Sequence, residues 1–227
     1  MKISQWLKFS KTLLIAKLKT KEAQALDFSG RYAIIHDICK NFYKDLKIET
    51  EFTGVENIPT DEAVYYISNH QGTFDPLLLI AANPNPMTFI SKKENLKLPV
   101  IADWGKLIEF ITFDRENFDQ NVSMLRQATR FLKEGKSVLV FPEGTRAKGQ
   151  TLLPFKSGAV LPAFLAKAKI IPVTQNFGFE CDGTDPVKHT LSIHFHPALL
   201  PENYKQKTHE EIMNECVQII SSKLKSN

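Results

Sequence analysis

Six short runs rich in β-branched and aromatic residues, at 63–68, 87–91, 110–113, 137–141, 170–175 and 191–196, are interleaved with stretches of helical spacing at 76–82, 98–106, 118–133 and 157–167. No other feature narrows the possible folds as far. Strands separated by helices build an α/β architecture with at least part of the sheet parallel, because a parallel crossover needs a helix-length connection. The chain has 227 residues, 43% of them apolar, which is enough for one α/β core with a small appendage and too little for two full domains. The expected fold is α/β, a single mixed and partly parallel sheet flanked by helices. A covering helix is expected over 208–223, with Ile212, Cys216, Ile219 and Ile220 on one side. Cys39, Cys181 and Cys216 are odd in number and widely separated. They give neither a disulfide framework nor a metal-ligand set, and they point to a reducing compartment.

The net charge of +4 is unevenly spread. Residues 1–21 hold no acid but six lysines, at 2, 8, 11, 17, 19 and 21. On a helix, Ile3, Trp6, Leu7, Phe9, Leu13, Leu14 and Leu18 cover one half of the circumference, and Ser4, Gln5, Lys8, Lys11, Thr12 and Lys19 the other. That is the pattern of a helix lying in an anionic membrane interface. A basic helix packed on the domain's own core, or a basic arm for nucleic acid, is the alternative. Nucleic acid is disfavoured because the aromatic residues lie on the apolar face and are not interleaved with the lysines. A second helix over 29–47 completes an amphipathic two-helix docking motif, so the expected division is residues 1–50 for membrane association and 51–227 for an α/β domain. No apolar run approaches the roughly 18 residues of a spanning helix. The start also lacks the core and cleavage site of a secretory signal. The expected location is cytoplasmic, peripheral or monotopic on the inner face of the cell membrane.

The segment Asn69-His70-Gln71-Gly72-Thr73-Phe74-Asp75-Pro76 sets a histidine five residues before an aspartate. Residues five apart face opposite sides of a strand and diverge by about 140° on a helix, so only a turn brings them together. Gly72 permits the backbone angles such a turn can need. With a strand before it and Asp75-Pro76 opening a helix as N-cap and first-turn proline, His70 falls at a strand's carboxyl end, where α/β sheets place their crevices. Asp75 could then fix the imidazole tautomer and support the imidazolium. A capping aspartate beside an unrelated surface histidine is the bland alternative.

Further polar groups follow other strands. Phe141-Pro142-Glu143-Gly144-Thr145-Arg146 displays a carboxylate, a hydroxyl and a guanidinium on a turn. Arg146 could grip a phosphate bidentately, and Gly144 lets backbone approach a ligand. Arg115, after Phe113-Asp114, is a second rim arginine. Lys92 and Lys156-Ser157-Gly158 are further anion contacts. A surface ion pair is the alternative at each arginine. Pro172 in 170–173 confines its strand to an edge, a bulge or a strand start. His194 and His196 lack a third ligand and read as a structural pair, so no metal is expected.

In this combination and order the chain resembles the glycerophospholipid acyltransferase family. The segment 69–75 looks like its first motif, Arg115 after Phe113-Asp114 its second, 141–146 its third and Ile171-Pro172-Val173 its fourth. Glu109 departs from the glycine that opens the second motif. The resemblance implies a membrane-docked enzyme that moves an acyl chain from acyl-CoA or acyl carrier protein to the sn-2 hydroxyl of 1-acyl-glycerol-3-phosphate, giving phosphatidic acid. Its implied general base is His70, oriented by Asp75. Arg115, Arg146 and Lys92 would hold the acceptor phosphate, with Gly144 and Thr145 lining the site. Glu143 would bond the glycerol backbone or brace the arginines. No cofactor is implied beyond the thioester donor. No serine or cysteine sits in a G-x-S-x-G elbow, so a covalent acyl-enzyme is not expected. Glycerol-3-phosphate or another lysophospholipid as acceptor, or a noncatalytic lipid-phosphate binder, are the alternatives.

Overall fold

The structure is a computed structural model that describes residues 3–97, 99–114, 118–183 and 185–226. One seven-stranded sheet forms its middle layer. Its strands are β1 (Thr50–Thr53), β2 (Val64–Ser68), β3 (Met87–Lys92), β4 (Ile111–Phe113), β5 (Ser137–Val140), β6 (Lys169–Asn176) and β7 (Leu191–Phe195), in the spatial order β1-β7-β6-β2-β5-β3-β4. Only β6 and β7 pair antiparallel. The expected mixed, largely parallel sheet is present.

Every residue of β2 and β5 is buried. A strand covered on both faces reads as a continuous apolar run, which is why both were visible in the sequence. Successive side chains still part to opposite faces. Val64 and Tyr66 join one core, with helices α2 (Phe28–Leu46), α3 (Asp75–Ala82) and α4 (Pro99–Leu107). Tyr65 and Ile67 join the other, with α5 (Phe118–Lys133), α6 (Leu161–Ala166), the short α7 (Pro201–Tyr204) and α8 (His209–Ser221). The result is helix, sheet, helix in three layers.

The amino-terminal helix α1 (Ile3–Ala23) lies on the α2 side. Ala16, Thr20 and Ala23 face inward, while Leu14 is 60% and Leu18 64% exposed, with Lys17, Lys19 and Lys21 also outside. The side chains of residues 3–11 and 13 are outside the description. No helix among the described residues is long and apolar enough to cross a membrane.

Two local expectations need correction and a third is resolved. β1 was not anticipated; it is a four-residue strand whose side chains alternate between half-buried and exposed, paired with β7 alone. The 157–167 helix opens as a tight 3-10 turn over Ser157–Val160 before α6 begins. Pro172 lies in an interior strand, with Ile67 of β2 opposite it. Its carbonyl accepts from His196 on the β7 side, so its nitrogen faces the same side. The β6–β7 ladder starts one residue later, at Val173 opposite Phe195, and Ile170 bridges Leu199, so one extra residue intervenes. Of the three settings expected for a strand proline, the bulge is the one observed.

Candidate active site

β2 and β5 are parallel neighbours with Ile67 opposite Val140. Three residues beyond that pair on each strand stand His70 and Glu143. The loops after the two strands are joined by backbone bonds, Ala147 N donating to His70 O at 2.8 Å and Lys148 N to Gln71 O at 3.0 Å. The imidazole of His70 stacks on Phe141 with ring centroids 4.1 Å apart.

Asp75 is fully buried. Its Oδ2 accepts from His70 Nδ1 at 2.8 Å, Gln71 N at 2.5 Å and Gly72 N at 2.9 Å. Two successive amides and the start of α3 make a ready seat for a negative charge. With Nδ1–H donated to a carboxylate, the imidazole keeps Nε2 as its basic nitrogen. Asp75 is not an N-cap. Phe74 holds that position without a side-chain bond, and Asp75 is the first helical residue, with Pro76 following in the first turn. Its carboxylate is committed backwards to the turn it closes.

Gly72 serves by absence of bulk, not by an unusual backbone angle. It is not among the glycines with positive φ, and a Cβ there would stand 2.7 Å from Gly178 O and 2.9 Å from Phe179 Cα. Gly144 is the reverse, with φ +65°, in the left-handed region that glycine enters freely.

Glu143 turns inward. Only 5% exposed, it accepts from His70 N at 2.8 Å and Leu153 N at 3.2 Å. Burial pushes its carboxyl up to about 7, although both amide bonds pull the other way. It therefore braces the backbone under His70, where the sequence reading put it on substrate or on an arginine. Thr145 and Arg146 are exposed. Arg146 Nη1 bonds Thr73 Oγ1, inside the segment between His70 and Asp75, and stands 3.9 Å from Asp182 Oδ2. Lys92 ends β3 opposite Phe113 of β4, on the same parallel edge but two strands away from β2. Arg115 lies outside the described residues.

Several residues that hold the site had no assigned role in the sequence. The Asn69 side chain extends the β2–β6 pairing, donating to Gln175 O at 3.0 Å and accepting from Gln175 N at 2.8 Å. Gln71 Oε1 accepts from Gly178 N at 3.0 Å, and its Nε2 donates to Gln150. Gln150 in turn accepts from Phe177 N and donates to Asn176 Oδ1 and Lys225 O. Asp182 accepts from Thr73 N with both oxygens at 2.9 Å. Only Asn69, Gln71 and Thr73 lay within a recognisable segment; their partners come from positions 79 to 109 residues further on.

Glu109, which stands where the resembled motif opens on glycine, has φ +58°, a left-handed angle that a residue with a Cβ resists. Its carboxylate bonds Arg31 Nη2 of α2 at 3.0 Å and also pairs with Lys136 Nζ just before β5. His194 and His196 are satisfied by Thr53 and Thr174, each at 2.8 Å, and burial drives the His196 imidazole down to about 4. Among the described residues no group of three or more His, Cys, Asp or Glu is placed to hold a metal ion.

The chain is similar in sequence and in fold to known proteins. A probable 1-acyl-sn-glycerol-3-phosphate acyltransferase of Mycoplasma pneumoniae is 33% identical over 149 residues, covering 63% of this chain and 55% of that protein. The 1-acyl-sn-glycerol-3-phosphate acyltransferase of Escherichia coli is 34% identical over 120 residues, covering 51% of this chain and 49% of that one. The chain thus spans about half the length of these curated relatives. The crystal structure of the 1-acyl-sn-glycerophosphate acyltransferase of Thermotoga maritima superposes with a TM-score of 0.77 at 21% identity, covering 98% of this chain and 97% of that one, which establishes the common fold. Residues 49–176, which include the His70–Asp75 turn, the Glu143 loop and Pro172, match the family described as Acyltransferase, and the chain belongs to that family of enzymes.

Proposed function

We propose that the chain transfers a fatty acyl group from a thioester, acyl-CoA or acyl carrier protein, to the sn-2 hydroxyl of 1-acyl-glycerol-3-phosphate, yielding phosphatidic acid. The carrying observation is the 2.8 Å contact of His70 Nδ1 with a buried carboxylate. An imidazole held this way through Nδ1 has Nε2 to accept a proton. In the proposed step Nε2 takes the proton of the acceptor hydroxyl while its oxygen forms a bond to the thioester carbonyl carbon. The tetrahedral intermediate collapses, the C–S bond breaks, and the thiolate recovers the proton from the imidazolium. No enzyme nucleophile enters, so no acyl-enzyme forms. Arg146, on the rim beside Thr73, would bind the acceptor phosphate, with Lys92 at the end of β3 and Arg115 as further cationic contacts.

The exposed Leu14 and Leu18, flanked by lysines, support docking of α1 on an anionic membrane surface. Residues 1–50 would supply that attachment, on the cytoplasmic face, to a catalytic portion over 51–227.

The test is acyl transfer by purified protein, with 1-acyl-glycerol-3-phosphate, glycerol-3-phosphate and other lysophospholipids each offered against both donors. His70→Ala is expected to lower turnover by at least about 100-fold with an unchanged unfolding midpoint. Undiminished turnover in that variant would remove the mechanism, and preference for a different acceptor would reassign the substrate.

A further inference from the structure

Asp182 lies at the end of a 3-10 turn over Gly178–Asp182, beyond the residues that match the family. Its carboxylate nevertheless reaches the outer side of the His70–Asp75 turn. Both oxygens accept from Thr73 N at 2.9 Å, and Oδ2 also accepts from Thr73 Oγ1 at 3.0 Å. Arg146 Nη1 bonds the same Thr73 Oγ1 and stands 3.9 Å from Asp182 Oδ2. The three side chains form one exposed cluster on the rim of the proposed active site.

The two attachments of Asp182 differ in kind. Its contacts with Thr73 are within hydrogen-bonding range and include a backbone amide, so they fix the carboxylate in place. A separation of 3.9 Å is too long for a hydrogen bond, so Asp182 acts on Arg146 through charge, while the guanidinium's hydrogen bond goes to Thr73 Oγ1. A phosphate can engage a guanidinium bidentately, with shorter and stronger bonds than this pair makes. Arg146 can therefore turn to an incoming phosphate while Asp182 stays pinned to Thr73.

We infer that Asp182 is a specificity-determining residue, a resident anion that draws Arg146 to the His70–Asp75 turn and sets how tightly the acceptor's phosphate is bound. This rests on the reading of Arg146 as the phosphate contact. A fixed negative charge next to that contact weakens phosphate binding, and its removal strengthens it. An amide oxygen in the place of Oδ2 can still accept from Thr73 N and Thr73 Oγ1, so Asp182→Asn removes the charge and keeps two of the three contacts.

The experiment compares the unaltered protein with Asp182→Asn, Arg146→Ala and the double variant, using inorganic phosphate as competitive inhibitor against the acceptor and recording KM, kcat and unfolding midpoint. Asp182→Asn is expected to lower the phosphate inhibition constant and acceptor KM about threefold, the scale of a partly exposed ion pair, with little change in kcat. In the Arg146→Ala background the same change should have no effect. A fall in kcat with phosphate inhibition unchanged would reduce Asp182 to a structural prop. A threefold gain that persists without Arg146 would overturn the pairing. If Arg146→Ala alone leaves KM and inhibition unaltered, the phosphate reading itself fails and this inference with it. If Asn disturbs the turn, Asp182→Ser offers a neutral residue that still carries an acceptor oxygen.

Discussion

Asp75 Oδ1 is buried without a hydrogen-bond partner among the described residues, and it lies against Gly178. A Cβ on Gly178 would intrude within van der Waals contact of that oxygen. Gly178→Ala must therefore push the acid away from the imidazole or displace the turn. The expected outcome is a loss of about 1–3 kcal/mol in urea unfolding, as for an overpacked core, together with a fall in kcat. A variant of unchanged kcat would show that the acid's position is not critical. Glu143 offers a second measurement at this scale. Its folded pKa of about 7 stands above the ordinary 4.5, so folding takes up a proton between those values. Its contribution is most favourable below pH 4.5 and is lost as pH rises towards 7, at up to about 1.4 kcal/mol per pH unit. Glu143→Gln should flatten the stability profile across that window, and parallel profiles for the two proteins would contradict the assignment. The pairing of His70 with Asp75 was legible because six residues of chain enclose both. The roles of Glu143 and Asp182 were not, since a spacing along the chain does not reveal which way a carboxylate turns or which distant amide it meets.

At the scale of elements, Glu109 sets two effects of similar size against each other. A left-handed angle at a residue other than glycine costs roughly 1 kcal/mol, while each partly exposed ion pair returns about 0.2–1 kcal/mol. Glu109→Gly removes both and should leave stability within about 1 kcal/mol of the original, whereas Glu109→Ala keeps the strain, loses the pairs to Arg31 and Lys136, and should be the less stable of the two. Denaturant midpoints that place alanine above glycine would contradict this balance. Helix α1 presents a different question, because among its described side chains the buried ones, Ala16, Thr20 and Ala23, are small while Leu14 and Leu18 face out. Leu14→Glu with Leu18→Glu should weaken sedimentation with anionic vesicles and leave the unfolding midpoint within about 0.5 kcal/mol, as for exposed sites. Equal binding by both proteins would remove this face from the membrane contact. Six of the seven strands were readable because they are apolar runs; β1, with charged Glu51 and two threonines, borrows its order from β7 and carries little signal of its own.

Across the whole molecule, the His70–Asp75 turn is joined to parts of the chain that lie far from it in sequence. The β5 loop bonds its backbone, the segment after β6 receives the Gln71 side chain, and Gln150 and Asn176 tie the same cluster to the carbonyls of Lys225 and Lys223. The parallel order of β6, β2 and β5 makes this possible, since it delivers three strand ends to one edge. That order follows from nonlocal pairing, which is why the alternation of strands and helices indicated an α/β sheet without fixing which loops would meet. The amide cluster linking Gln71 to the carboxyl-terminal residues has a consequence in time. A turn so anchored has no separate opening step, so the exchange of its Gln71 and Gly72 amide protons and the heat inactivation of the enzyme should share the rate of global unfolding, and the working lifetime of the catalyst becomes the lifetime of the fold.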